Sequence, residues 1–252
     1  MKKNFLALGI CTFALALGLV ACDDSTSANG SSGDGNLVED SCGYQIPNID
    51  YGEFTDERDD QVYKTVTIGT QTWMAENLNY DPGNVSSMGS YAWSGCYGNE
   101  SSNCTKYGRL YTWEVAMDKA GCGYGTYCNN SNEGTQGICP SGWHLPTKEE
   151  WQQLVKPMAY SVDDYTTYCY YNGAGVELKT VDGWSYYDYS SSTAGTNASG
   201  FSALPAGRRS GDGGFDDSGN YAYYPSLNYY SDRADLDHND KRRAFSVRCL
   251  QD

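Results

Sequence analysis

Eight cysteines spread over residues 42 to 249 constrain this 252-residue chain more than any other feature. They are Cys42, Cys96, Cys104, Cys122, Cys128, Cys139, Cys169 and Cys249. An even set in an oxidising compartment reads as a disulfide framework, and eight cysteines allow 105 connectivities. Spacing suggests two local loops, Cys96–Cys104 and Cys122–Cys128. Cys139 with Cys249 would close a long loop, which contributes roughly 4–5 kcal/mol in the chain-entropy treatment. Cys42–Cys169 is the pair that remains. Zinc is the weaker reading, because there is no Cys-x-x-Cys and neither histidine stands at ligand spacing from a cysteine pair.

The remaining two cysteines, Cys11 and Cys22, belong to a different device. Lys2 and Lys3 precede an uncharged run from Phe5 to Val20, followed by Ala21-Cys22. A basic start, a short apolar core and a small residue before the cut make an export signal over residues 1–21. The run is shorter than the roughly 20 residues that a membrane span needs. Leu19-Val20-Ala21-Cys22 resembles the bacterial lipobox, which implies that Cys22 becomes the mature N-terminus and carries the lipid. Partnership with a membrane through that lipid is therefore expected, in a bacterial cell envelope, on the outer surface or the periplasmic face. Residues 22–41 are small, polar and Gly/Ser-rich, so they cannot bury enough apolar surface to offset ordering and read as a flexible tether.

Removal of residues 1–21 leaves 15 basic against 32 acidic residues, a net charge of −17. Such a chain should avoid nucleic acid, whose binding rests on basic phosphate contacts. Residues 42–252 suffice for one domain with a sizeable core.

Within that domain, Val62, Val66 and Ile68 lie in a β-rich run that Gly69-Thr70 breaks and Gln71 to Met74 resumes, a hairpin signature. Residues 81–107 read as loop. Leu110, Trp113 and Met117 fall at three- and four-residue spacing, with Ala116, Ala120 and a stopping Gly121, which predicts a short amphipathic helix. Residues 122–138 form a second polar loop. Thr147 and Glu150 make a capping box before Trp151, Leu154 and Val155, which predicts a second short helix limited by Pro157. His144 lacks a partner at catalytic spacing and reads as structural. "GVELKT" predicts a strand, and "RRAFSVRCL" predicts a terminal strand with Ala244, Ser246 and Arg248 alternating against Phe245, Val247 and Cys249.

Five stretches, "TVTIGTQTWMAENLNYD", "YGRLYTWEVAMD", "CPSGWHLPTKEEWQQL", "GFSALPAGRR" and "FSVRCLQD", resemble in order the blocks of the Fibrobacter succinogenes major paralogous domain. The resemblance is strongest over residues 55–252. That family is similar to a larger group with a C-type-lectin-like, formylglycine-generating-enzyme-like fold. Leu145-Pro146-Thr147, Glu150-Trp151 and Phe245 to Cys249 match its recurring positions. The resemblance implies an α+β domain of C-type-lectin-like architecture, with two short helices, irregular antiparallel strands and disulfide staples. It also implies an exported lipoprotein. One segment departs from the pattern: Tyr223-Tyr224-Pro225-Ser226 stands where relatives carry a Trp-Ser-Ser-like segment. Pro225 has no backbone donor, so an exposed edge or a rebuilt loop is expected there.

For function, the sequence favours binding over catalysis, with a structural or protein-interaction lipoprotein without a small ligand as the alternative. An enzyme of the formylglycine-generating type would need a reactive cysteine pair in the C-terminal part of the domain, yet no cysteine lies between Cys169 and Cys249. Gly-x-Ser-x-Gly is absent, and among 32 acids nothing singles out a glycosidase pair. The chain does hold 23 tyrosines, clustered at 165–171, 186–189 and 221–230. Aromatic faces offer broad amphipathic contact at low entropy cost. The expected ligand is a polysaccharide or another envelope component, and the expected contact surface comprises Trp184, Tyr223, Tyr224, Tyr229 and Tyr230. Asp212, Asp216, Asp217 and Asn220 supply oxygens at short spacing and make Ca²⁺ the one candidate cofactor. The lectin pairs Glu-Pro-Asn and Trp-Asn-Asp are absent.

Overall fold

The computed structural model describes residues 37–39, 45–118, 122–126, 134–164, 169–185, 195–224, 226–228, 231, 233–236 and 239–252. Strands β1 (Leu37–Glu39) and β2 (Gln45–Pro47) form a small ladder, and β3 (Gly52–Asp56), β4 (Gln61–Ile68) and β5 (Gln71–Met74) follow as a meander. Next come β6 (Ser94–Gly95), helix α1 (Ser101–Tyr107), β7 (Leu110–Thr112) and the single turn α2 (Trp113–Ala116). The middle holds β8 (Trp143–His144), α3 (Lys148–Val155), β9 (Ser161–Asp164), β10 (Cys169–Asn172) and α4 (Ala174–Leu178). The last part is β11 (Arg208–Arg209), β12 (Phe215–Asp216), β13 (Tyr221–Tyr223), β14 (Ser226–Asn228), β15 (Ala234–Leu236), β16 (Ala244–Phe245) and β17 (Leu250–Gln251). The protein is thus a mixed α and β structure with few, short helices and antiparallel sheets.

Three five-stranded sheets carry it, ordered β3-β4-β5-β17-β8, β12-β11-β16-β7-β6 and β13-β14-β15-β10-β9. The hairpin expected at Gly69-Thr70 is present: Ile68 pairs with Gln71, and Gly69 takes φ +63, which a glycine adopts without strain. The helix expected at Thr147 is present as well. Thr147 Oγ1 accepts from the Glu150 amide at 3.2 Å while Glu150 Oε2 accepts from the Thr147 amide at 2.8 Å. Trp151, Leu154 and Val155 turn inward from α3. Trp151 meets Trp73 at 4.6 Å between ring centroids and stacks parallel to Tyr224 at 6.0 Å. With Phe201, Leu178 and Leu236 these rings make the main core. A second core holds Tyr63, Met74, Tyr111, Val115 and Trp143 around the Cys139–Cys249 disulfide.

Several local expectations need correction. Residues 110–118 do not form the expected amphipathic helix. Leu110, Tyr111 and Thr112 are all buried, as a strand between β6 and β16 requires, and only Trp113–Ala116 complete a helical turn. The spacing of Leu110, Trp113 and Met117 fits both arrangements, so periodicity alone misleads here. "GVELKT" is helical in its first part: the chain turns at Gly173 (φ 93), and Ala174, Gly175 and Leu178 bury one helical face. The stretch 81–107 is more structured than a loop, holding β6 and α1. The terminal strand is split. Residues 246–249 pass from one sheet to the next, β16 pairing with β7 and β17 with β5 and β8, and Ser246, Val247, Arg248 and Cys249 are all buried. A strand covered on both sides loses the contrast that alternation measures.

Of the disulfides, Cys96–Cys104 and Cys139–Cys249 form as expected. Cys122 is disulfide-bonded, while its expected partner Cys128 lies outside the described residues. Cys169 is a correction: it is a free, buried thiol whose Sγ donates to Asp164 Oδ1 at 3.0 Å across the β9–β10 pair. That hydrogen bond, then burial, pushes the thiol pKa up. Elimination assigned it a partner because spacing cannot see that a carboxylate already faces it. Cys42 lies outside the described residues, as does Cys22.

Candidate functional site

Three large rings stand in solvent on one side of the second core. Tyr91 and Trp113 are each 41 % exposed and Tyr124 is 53 % exposed. Each comes from a different segment. Trp113 opens α2, where a single turn sends Glu114, Val115 and Ala116 inward and leaves the indole outside. Tyr91 lies in the bend before β6, and Tyr124 in the turn that Cys122 anchors, closed by the Thr126 amide on Gly123 O at 3.2 Å. Tyr91 and Tyr124 meet edge to face at 5.7 Å between centroids.

Two consecutive cations tie the rings together. The Arg242 guanidinium lies 4.3 Å from the Tyr124 centroid and 5.8 Å from that of Tyr91. Lys241 Nζ lies 5.9 Å from the Trp113 ring and donates to the carbonyls of Cys122 and Thr126 at 3.3 and 3.1 Å. Asp240 fixes Arg242, accepting from its Nε on both oxygens at 3.1 Å. That hydrogen bonding holds the Asp240 carboxyl down at about 2 and raises the Arg242 pKa. Cation and ring thus form a preset array in which little side-chain freedom is left to lose.

Glu114 underlies the array. It is 6 % exposed, and among the described residues its Oε2 has no hydrogen-bond partner. Its carboxylate fits because two residues beside the exposed tyrosines are glycines. A Cβ on Gly89 would come within 2.2 Å of Glu114 Oε1, and one on Gly123 within 1.7 Å. Stackable faces, fixed donors and a buried acceptor suit non-covalent recognition of a polar ligand with apolar faces. The array holds no nucleophile beside a base.

Sequence reasoning missed all of these residues. Trp113 was absorbed into an apolar helical stripe, and Tyr91 and Tyr124 sit in loops without periodicity. The expected surface lies elsewhere, with Trp184 buried and Tyr223 and Tyr224 partly buried. Trp184 is 5 % exposed and donates through Nε1 to Thr180 Oγ1 at 3.1 Å, with Lys179 Nζ 5.3 Å from its ring. Tyr224 is partly buried and packs against the main core on Trp151 and Phe201, 5.5 Å from the Arg248 guanidinium. Tyr223 is half-buried, stacks on Tyr221 at 5.4 Å and donates to Asp217 Oδ2 at 2.7 Å. Burial, then Asp217, drives its hydroxyl pKa far up. Tyr229 and Tyr230 lie outside the described residues.

The oxygens considered for Ca²⁺ point different ways. Asp212 accepts from Ser210 and from the Gly214 amide within its own loop. Asp217 pairs with Arg208 Nε at 3.2 Å, Asp216 is exposed on β12, and Asn220 Oδ1 is buried without a partner. Among the described residues no group of three or more His, Cys, Asp or Glu is placed to hold a metal ion. His144 sits between two carboxylates, Asp252 Oδ1 at 2.7 Å from Nδ1 and Glu150 Oε1 at 3.1 Å from Nε2, which ties β8 to the start of α3.

Comparison with known proteins gives one match. The family model described as Fibrobacter succinogenes major domain matches residues 66–251. No curated protein matches the chain, and no solved structure does.

Proposed function

The chain belongs to the Fibrobacter succinogenes major domain family, and from that premise we propose that it is an exported, lipid-anchored binding module of the bacterial cell envelope whose ligand is a polysaccharide. Cys22 carries the lipid in this reading, and a C-type-lectin-like arrangement carries the site. The observation that supports it is the exposed set Tyr91, Trp113 and Tyr124, cross-tied by Lys241 and Arg242. Aromatic faces stack on the apolar faces of sugar rings, and the Arg242 guanidinium against Tyr91 and Tyr124 holds two of those faces in place. No helix among the described residues is long and apolar enough to cross a membrane, so the anchor in this reading is the lipid.

The test is retention of the full-length, detergent-solubilised protein on insoluble cellulose, xylan and cell-wall fractions, with calcium and with chelator. Retention on one polysaccharide that Trp113→Ala or Tyr124→Ala weakens at least tenfold supports the reading. Absence of retention on every polysaccharide removes it and points to a protein partner in the envelope. Retention lost with chelator would return attention to Asp212 and its neighbours.

A further inference from the structure

A concavity that shares none of its lining with the exposed rings has a volume of about 510 Å³. That lies within the range of small-molecule sites. The Cys96–Cys104 disulfide forms one wall, and Tyr80, Asn79 and Arg109 reach into the space. Arg58 is part of the frame. It is clamped on the fully buried Asp56, its Nη1 donates to Ile138 O at 2.8 Å, and its guanidinium lies 3.9 Å from the Tyr80 centroid.

Two lining groups have capacity to spare. The Arg109 side chain bonds Asp81 alone among the described residues, through one Nη, and Asp81 is 61 % exposed. Exposed ion pairs of this kind exchange readily for a better partner. The rest of the Arg109 fork remains available, and a planar fork matches a carboxylate with two parallel bonds. Among the described residues Asn79 Oδ1 is buried without a partner, while its Nδ2 donates to Gln61 Oε1 at 2.9 Å. A buried acceptor left unmade is costly, so a ligand that donates to it gains disproportionately. Asp59 and Asp81 also line the space, which disfavours a dianion such as phosphate and tolerates a single negative charge.

We propose that this groove binds one uronic acid residue, its carboxylate on the Arg109 fork and the neighbouring ring hydroxyl donating to Asn79 Oδ1. The site stands apart from the exposed aromatic array and does not depend on it.

Isothermal titration of the full-length protein in detergent with galacturonate and glucuronate, beside galactose, glucose, glycine and inorganic phosphate, tests it. Uronate should bind, at least tenfold more weakly in Arg109→Gln and in Asn79→Leu, with an intermediate loss in Arg109→Lys. Thermal midpoints of the three variants within a few degrees of the parent keep a folding defect from passing as lost affinity. Equal affinity for the neutral sugars, displacement of uronate by glycine or phosphate, or undiminished binding in Arg109→Gln would each overturn the assignment.

Discussion

Arg248 Nε donates to Asn77 Oδ1 at 2.6 Å inside the protein, where the arginine is 1 % exposed. Among the described residues no carboxylate bonds it. Its remaining donors go to the carbonyls of Met74, Phe201 and Ser202, and its face lies 4.6 Å from the Phe201 centroid. Burial pulls its pKa down, but the carbonyls and the amide replace the lost water. Arg248 thereby joins the segments 74–77, 201–202 and 246–249. Arg248→Leu should cost about 3–5 kcal/mol, since a buried amide and three carbonyls lose their donor. Denaturant unfolding measures it, and a loss below about 1 kcal/mol would show the joint to be dispensable.

Thr147→Ala removes the hydroxyl that accepts from the Glu150 amide. The expected cost is about 1 kcal/mol of stability, with polysaccharide retention unchanged. A selective loss of binding at unaltered stability would make the 139–154 stretch part of a site rather than part of the frame.

The two described disulfides should differ in worth. Cys139–Cys249 spans 110 residues and Cys96–Cys104 spans 8, so chain entropy assigns about 4.8 and about 2.5 kcal/mol. Paired Cys→Ser variants, compared by thermal midpoint, should rank in that order.

Asp56 governs part of the acid limb of stability. Burial would raise its pKa, but the hydrogen bonds and charge of Arg58 outweigh that and hold it below 3.8. A carboxylate with a depressed folded pKa stabilises fully above its unfolded value, and that contribution fades as pH falls through the folded one. Asp56→Asn should therefore cost about 1–3 kcal/mol at neutral pH. The gap to the parent should narrow as pH drops below 3.8. A gap independent of pH would exclude the carboxylate as its source.

Cys169 should resist alkylation in the folded protein and react after unfolding without reductant, because its thiol is buried and bonded to Asp164. Peptide mapping reads both states.

The parts legible in the sequence were those fixed by neighbours along the chain. The Gly69-Thr70 turn, the Thr147–Glu150 box and the closely spaced Cys96 and Cys104 each need only a few residues to form. The family was legible from ordered blocks. Buried segments were misread: β7 and residues 246–249 are covered on all sides, so apolar spacing no longer reports an orientation. The exposed rings were invisible for a related reason. Tyr91, Trp113 and Tyr124 converge from three loops and turns, and a count of tyrosines points instead to the 221–230 run, where Tyr224 packs against the main core.

Strand β17 lies between β5 and β8 in the first sheet. Leu250 faces Trp73 on one side and His144 on the other, so partners far apart in the chain wait for the same two residues. A chain threaded out from its N-terminal side would hold β5 with a bare edge until residues 249–252 arrive. Such an edge pairs readily with another copy. The last few residues therefore decide whether a growing molecule closes on itself or onto its neighbour, and a premature stop near Leu250 would act less like a small deletion than like the loss of a keystone.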